Sequence, residues 1–232
     1  SWLPGQSCDG VCMDLGISSP QVDHADRGFS FLKEGPLDMR MGPAQHFKAS
    51  DLVNEWDEKD LARLFRFLGE EPRARKIAQA ISQSRRVAKF ETTSQLAQCV
   101  EQAVGGRSSK HHPATRVFQA LRMGVNDELG QLKHGLVSAW RAVKPGGRLA
   151  TISFHSLEAR LVKRFGHFWG ASYEAGDEAD TPALRVPREP FARWSPRKSI
   201  KASRQEILKN PRSRSAQLRV MEKIQDLPEG RE

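Results

Sequence analysis

Two apolar runs, each ending in a cluster of polar residues, constrain this chain more than any other feature. The first, Val11, Cys12 and Met13, reads as a short buried strand and passes directly into Asp14-Leu15-Gly16-Ile17-Ser18-Ser19-Pro20-Gln21. The second, Arg148-Leu149-Ala150-Thr151-Ile152-Ser153-Phe154, is continuous, largely apolar and β-branched, and passes into His155-Ser156-Leu157-Glu158. Runs of this length and composition suit strands buried in a parallel sheet. Helical patterns lie between and after them, and that order predicts parallel strands joined by crossovers. Ligands in open α/β sheets bind at the C-terminal edge of the strands, so both polar loops are expected to line one crevice. A capping turn is the competing use of Ser18-Ser19-Pro20.

The stretch between the two strands has a helical period. Ser50 can cap a helix carrying Leu52, Val53 and Trp56, and Asp57 the next, where Leu61, Leu64, Phe65 and Leu68 share one face before Gly69. A third helix fits Arg73 to Ser84, with Arg73, Arg75, Lys76, Arg85 and Arg86 clustered around it, and a fourth is capped by Thr92 or Thr93 and ends at Gly105-Gly106. Upstream of these, residues 26–43 are punctuated by Gly and Pro and read as an ordered loop. After the basic turn at 107–113, apolar residues from Phe118 to Val143 recur at helical spacing, with a break expected near Gly124 or Gly130. Residues 170–200 read as a long polar loop. Gln217-Leu218-Arg219-Val220 alternates as a half-exposed strand does, and the last residues as a frayed tail. The division expected is therefore a discontinuous core of residues 1–30 and 112–224, an inserted helical domain at 31–111 and a tail at 225–232.

Composition narrows the partners. The 232 residues are 38% hydrophobic and carry a net charge of +9, which favours a polyanionic partner. No apolar run approaches the roughly 18 residues of a membrane span, so none is predicted. Three cysteines are too few for a disulfide framework, and Cys8 and Cys12 lack partners at zinc-ligand spacing, so these two are expected to be small buried side chains, with no metal site. The opening Ser1-Trp2-Leu3-Pro4-Gly5 has neither signal-peptide nor transit-peptide character.

Seven words occur together and in order: Asp14-Leu-Gly-Ile-Ser-Ser-Pro-Gln21, Arg27-Gly-Phe-Ser-Phe31, Gly35-Pro-Leu-Asp-Met-Arg-Met41, His112-Pro-Ala-Thr-Arg-Val-Phe-Gln-Ala-Leu-Arg122, Pro145-Gly-Gly-Arg-Leu149, Ile152-Ser-Phe-His-Ser-Leu-Glu158 and Asn210-Pro-Arg-Ser-Arg-Ser-Ala216. Together they resemble the RsmH (MraW) family of S-adenosylmethionine-dependent methyltransferases, which modify the exocyclic N4 of a cytidine in small-subunit (16S) ribosomal RNA. The resemblance covers nearly everything from Cys8 to Lys223. It implies an α/β fold, a class I Rossmann-like methyltransferase core with an inserted α-helical domain, and the Leu218 strand as its antiparallel edge. It further implies S-adenosyl-L-methionine as cofactor, small-subunit rRNA or the ribosomal subunit as partner, and a bacterial-type cytoplasmic location, with an organelle as the alternative. A homodimer is compatible with it.

By position, the resemblance implies that Asp14 and Gln21 contact the cofactor. A carboxylate beside a sulfonium or ammonium gains Coulomb energy in a partly dry crevice, and an amide can bind the cofactor's polar edges. The reaction would be an in-line attack of the cytidine amine on the sulfonium methyl. An acceptor for the amino hydrogens would help, and Asp14, Ser18 or Ser19 can supply one; Asp14 is the catalytic candidate. His155 is either an RNA contact or a satisfied histidine at a strand end. Glu158 reads as an N-terminal helix charge rather than an acid catalyst. Arg116, Arg212 and Arg214, with Lys110 and His111, are candidates for phosphate contacts.

One departure from the family pattern is serious. The Gly-rich turn that should cradle the methionine end, and the acidic residue that should hold the ribose, do not occur in these residues, so the core's N-terminal strands are expected to be missing. Cofactor binding by this chain alone is expected to be impaired. The alternative reading is a non-catalytic RNA- or ribosome-binding module, and a third is a class I methyltransferase acting on protein or a small molecule.

Overall fold

The computed structural model describes residues 8–43, 45–106, 112–174 and 185–226. The opening residues, the basic turn at 107–111 with Lys110 and His111, and the tail from residue 227 lie outside the described residues. The chain divides into two compact units, Ser1–Gly16 with Leu129–Glu232, and Ile17–Glu128. Among the described residues no helix is long and apolar enough to cross a membrane.

The first unit is a sheet with helices. Strand β1 (Cys8–Asp14) pairs in parallel with β2 (Val143–Ser153), and β2 pairs antiparallel with β7 (Gln217–Lys223). The order continues to β5 (Ala192–Trp194), and β6 (Ile200–Lys201) also pairs with β7. The parallel pairing is as the sequence order predicts. Two expectations are corrected. The Leu218 strand is antiparallel but not the edge, because β5 and β6 lie on its other side. The supposed loop at 170–200 contributes β5, and also β3 (Tyr173–Glu174), which pairs with β4 (Val186–Pro187). Runs this short give no readable alternation; pairing along β7 and burial of Ala192 hold β5 in place.

Alternation along the strands decides which face is covered. Val11, Leu149 and Met221 stand abreast in register and face a core built from Leu136 and Trp140 of α7 (Glu128–Ala142) and Val162 and Trp169 of α8 (Ser156–Trp169). Each fully buried side chain of this kind contributes about 1.5–3 kcal/mol. Cys12, on the other face, is exposed, and Cys8 is only partly buried, so the expectation that these two cysteines are buried fails. With it fails the picture of a β1 buried on both faces: only alternate residues pack.

The second unit is helical: α1 (Ser19–Asp23), α2 (Ala49–Glu55), α3 (Glu58–Phe67), α4 (Ala74–Ser84), α5 (Thr93–Val104) and α6 (Ala114–Asn126). Leu61 and Phe65, Ile77 and Ile81, and Leu96 and Val100 lie four apart, which puts each pair on one helix face, and all are completely buried. Thr92 caps α5, accepting from the Gln95 N–H at 3.3 Å while Gln95 Oε1 accepts from the Thr92 N–H at 3.1 Å, and Gly105 ends it in the left-handed region. Helix α2 starts two residues earlier than the Ser50 cap implies, with Lys48 as its N-cap: Asp51 Oδ2 accepts the Lys48 N–H at 2.7 Å. Residues 17–30 and 112–128 group with this unit rather than with the sheet, because α6 buries Val117, Phe118 and Leu121 in the helical core.

The ordered loop at 26–43 is confirmed in detail. Gly28 takes φ +71, and a Cβ there would lie 2.1 Å from the Pro36 carbonyl oxygen, so only glycine fits. Leu37 and Met39 are buried, and Met39 itself has φ 62. The Asn126 amide holds this loop to α6, donating to the Met39 and Arg122 carbonyls, both at 2.8 Å, and accepting from the Met41 N–H at 2.8 Å. Asp127 follows with φ 45, and here the long helix breaks, between the two glycines expected to break it.

Candidate functional site

The tips of β1 and β2 lie side by side. Their register runs to Asp14 opposite Ile152, and the Leu15 N–H donates to the Ile152 carbonyl at 3.0 Å. Beyond them the chain turns at Gly16, φ +88, where a Cβ would stand 3.7 Å from both Phe154 Cδ2 and Glu158 Oε1. Val11, Met13 and Leu15 pack towards the core, so the alternate residue Asp14 projects from the opposite face and is exposed. Among the described residues its carboxylate enters no hydrogen bond or ion pair. A carboxylate at a strand's C-terminal edge, uncommitted to a cap, is free to receive a cationic group.

The second tip is tightly committed. His155 is the N-cap of α8; its Nδ1 accepts the Glu158 N–H at 3.4 Å, which places the ring proton on Nε2. Nε2 lies 3.0 Å from Glu158 Oε1, yet it is buried without a well-aligned hydrogen bond, so the contact is one of proximity. Glu158 Oε2 accepts the Phe154 N–H at 2.9 Å and the His155 N–H at 3.4 Å. Burial pushes the Glu158 carboxyl up, but His155 and these two backbone donors outweigh it and hold the group below the ordinary glutamate range. Glu158 is therefore a buried carboxylate that closes the start of α8, as the sequence suggests. His155, with its side chain 13% exposed, serves the same cap.

The other candidates are distributed. Gln21 is partly buried, and its Oε1 accepts from the Ser18 N–H at 2.9 Å and the Ser18 hydroxyl at 3.3 Å, so Ser18 is engaged at the start of α1. Ser19 is exposed as the first residue of that helix. Arg116, on α6, is half exposed, with Nη1 4.0 Å from the buried Glu71 Oε2. Arg212 and Arg214 are exposed on the turn Pro211–Ser215, which Asn210 caps by accepting the Arg212 N–H at 3.2 Å. Because β7 runs antiparallel and its Gln217 pairs with Ser153, this turn enters the sheet at the edge where β1 and β2 end. The structure thus gathers Asp14, His155, Glu158, Arg212 and Arg214 at one edge of one unit. Sequence reasoning missed Phe154, whose ring lies against Gly16, and Asn210, whose position before Pro211 is the signal of a side-chain-capped turn.

A family model described as the MraW methylase family matches residues 3–224. The chain belongs to that family. It is 50% identical over 218 residues to "Ribosomal RNA small subunit methyltransferase H" of Rhizobium meliloti (strain 1021), covering 94% of this chain and 63% of the relative. The protein of that name from Hyphomonas neptunium is 50% identical over 215 residues, 92% of this chain and 62% of its own. The one from Symbiobacterium thermophilum is 46% identical over 221 residues, 94% of this chain and 69% of its own. The chain thus spans a little under two thirds of the length of the first of these MraW methylase relatives.

Proposed function

We propose that the protein is a methyltransferase that uses S-adenosyl-L-methionine to methylate the exocyclic N4 of a cytidine in small-subunit rRNA. The observation that carries this reading is the exposed, uncommitted Asp14 carboxylate at the tip of β1, beside the tip of β2. That carboxylate fits the cationic part of the cofactor. Gln21 keeps its assignment to the cofactor through the family resemblance alone. When bound, the cofactor supplies an electrophilic methyl group.

The chain's residues do the rest. Asp14 offers a carboxylate oxygen that can take up the proton the cytidine amino group releases as its lone pair turns towards the methyl. Arg212 and Arg214 sit at the same sheet edge, where guanidinium groups suit phosphate oxygens of the RNA. Arg116 is a further phosphate contact in this reading. No Gly-rich turn follows a strand among the described residues, which supports weak cofactor binding by the chain alone.

The test is transfer of labelled methyl from the cofactor to unmodified small ribosomal subunits by the whole protein, with digestion and mass analysis of the nucleosides. N4-methylcytidine is expected, and Asp14→Asn should lower the rate by at least about tenfold. RNA binding without any transfer would establish the binding-module alternative, and a methylated protein or small molecule would establish the third reading.

A further inference from the structure

The helical unit carries a groove lined by none of the candidate site residues described above. It encloses about 960 Å³ between α3 and the start of α4, and Lys59, Arg63 and Arg66 line one wall while Arg73, Arg75 and Lys76 line the other. Glu58 is the one carboxylate in its lining. The spacing explains the walls: Lys59, Arg63 and Arg66 fall at i, i+4 and i+7, on the face of α3 opposite the buried Leu61, Leu64 and Phe65.

Two of these cations have anchors. Arg63 Nη1 is 3.1 Å from Asp60 Oδ1, and Arg73 Nε is 3.8 Å from Glu71 Oε1. Glu71 is itself buried and also accepts the Arg73 N–H at 3.0 Å. Lys59, Arg66, Arg75 and Lys76 are exposed and have no carboxylate partner among the described residues. Like charges held this close repel one another unless an anion lies between them. Phe67, at the end of the same wall, is 69% exposed, an aromatic ring kept in water beside the cations.

We propose that this groove binds a single-stranded segment of RNA, its phosphates lying between the two cationic walls and one base stacked on Phe67. A groove that neutralises a backbone beside a flat aromatic face is the arrangement that single-stranded nucleic acid requires. An acidic peptide would use the cations but not the ring. The inference rests on the RNA-substrate reading only for the identity of the RNA.

The test is fluorescence anisotropy of the 232-residue chain with a labelled, unstructured RNA of about a dozen nucleotides, between about 50 and 200 mM KCl. Replacing Arg66, Arg75 and Lys76 together by Gln should weaken binding by at least about tenfold. It should also reduce the slope of log affinity on log salt by about two, the loss of three single-strand phosphate contacts. Phe67→Ala should weaken binding about tenfold and leave the slope unchanged. The exposed pair Arg197→Gln with Lys198→Gln, in the other unit, should change affinity less than about twofold. Circular dichroism confirms that each variant is folded. Equal losses in the groove and control variants, an unchanged slope, or an acidic peptide that displaces the RNA with Phe67→Ala indifferent would each overturn the proposal. Groove effects that persist in a protein with no methyl transfer would overturn the enzymatic reading alone.

Discussion

Lys223 and Trp140 are joined through the backbone of one and the ammonium of the other. The completely buried lysine on β7 donates to the Trp140 carbonyl at 3.3 Å and to the Val143 carbonyl at 2.8 Å, with Nζ 5.8 Å from the indole centroid. It thereby satisfies carbonyls left open where α7 ends and β2 begins.

Lys223→Met is therefore expected to cost about 1–3 kcal/mol, although the methionine keeps most of the apolar contact. Urea unfolding monitored by tryptophan fluorescence measures it. A variant as stable as the parent would show that the two carbonyls need no lysine.

Glu158 gives a pH dependence with a definite sign. Its carboxyl is held below the ordinary range in the folded chain, so its contribution is complete above the unfolded value and is lost as the pH falls through the folded one. Glu158→Gln should destabilise by about 1–3 kcal/mol at neutral pH and flatten the acid limb of a stability profile. Melting temperatures taken across the acid range provide the comparison.

Asn126 joins the residue 39–41 loop to α6 by three hydrogen bonds, and its side chain is buried. Asn126→Ala leaves these backbone groups unpaired away from water, and a loss of about 2–4 kcal/mol is expected. Amide hydrogen exchange should show the Met41 N–H, protected in the parent, exchanging much faster in the variant.

Gly166 is where α8 accepts Trp194 of β5. A Cβ at this position would stand 2.0 Å from Trp194 Cζ2, so Gly166→Ala should destabilise by about 1–3 kcal/mol by overpacking. Adding Trp194→Phe should restore part of the loss, which thermal unfolding of the single and double variants would reveal.

The sequence was legible wherever a side chain's neighbours are close along the chain. The Thr92 cap, the Leu61 to Phe65 face and the Gly-Pro loop all follow from spacings of a few residues. So did the parallel pairing of β1 and β2, because the helical stretch between them forces a crossover. What could not be read depends on distant partners. Ala192 to Trp194 forms a strand only because Met221 to Lys223 receives it. The helix break falls at Asp127, not at a glycine, because Asn126 is held by a loop more than 80 residues upstream. At the candidate site, Asp14 and Glu158 read correctly as strand-end and helix-start carboxylates. The commitment of His155 to its own cap required the geometry.

β1 and β2 touch along their length, yet the helical unit intervenes between them in the chain. Bringing such remote segments together costs loop-closure entropy before any pairing repays it, whereas the helices meet neighbours close in sequence. Refolding is therefore expected to restore helical ellipticity first and the tryptophan environments around the sheet afterwards. The sheet edge that carries Asp14 and Glu158 would then be the last part of the molecule to acquire its shape.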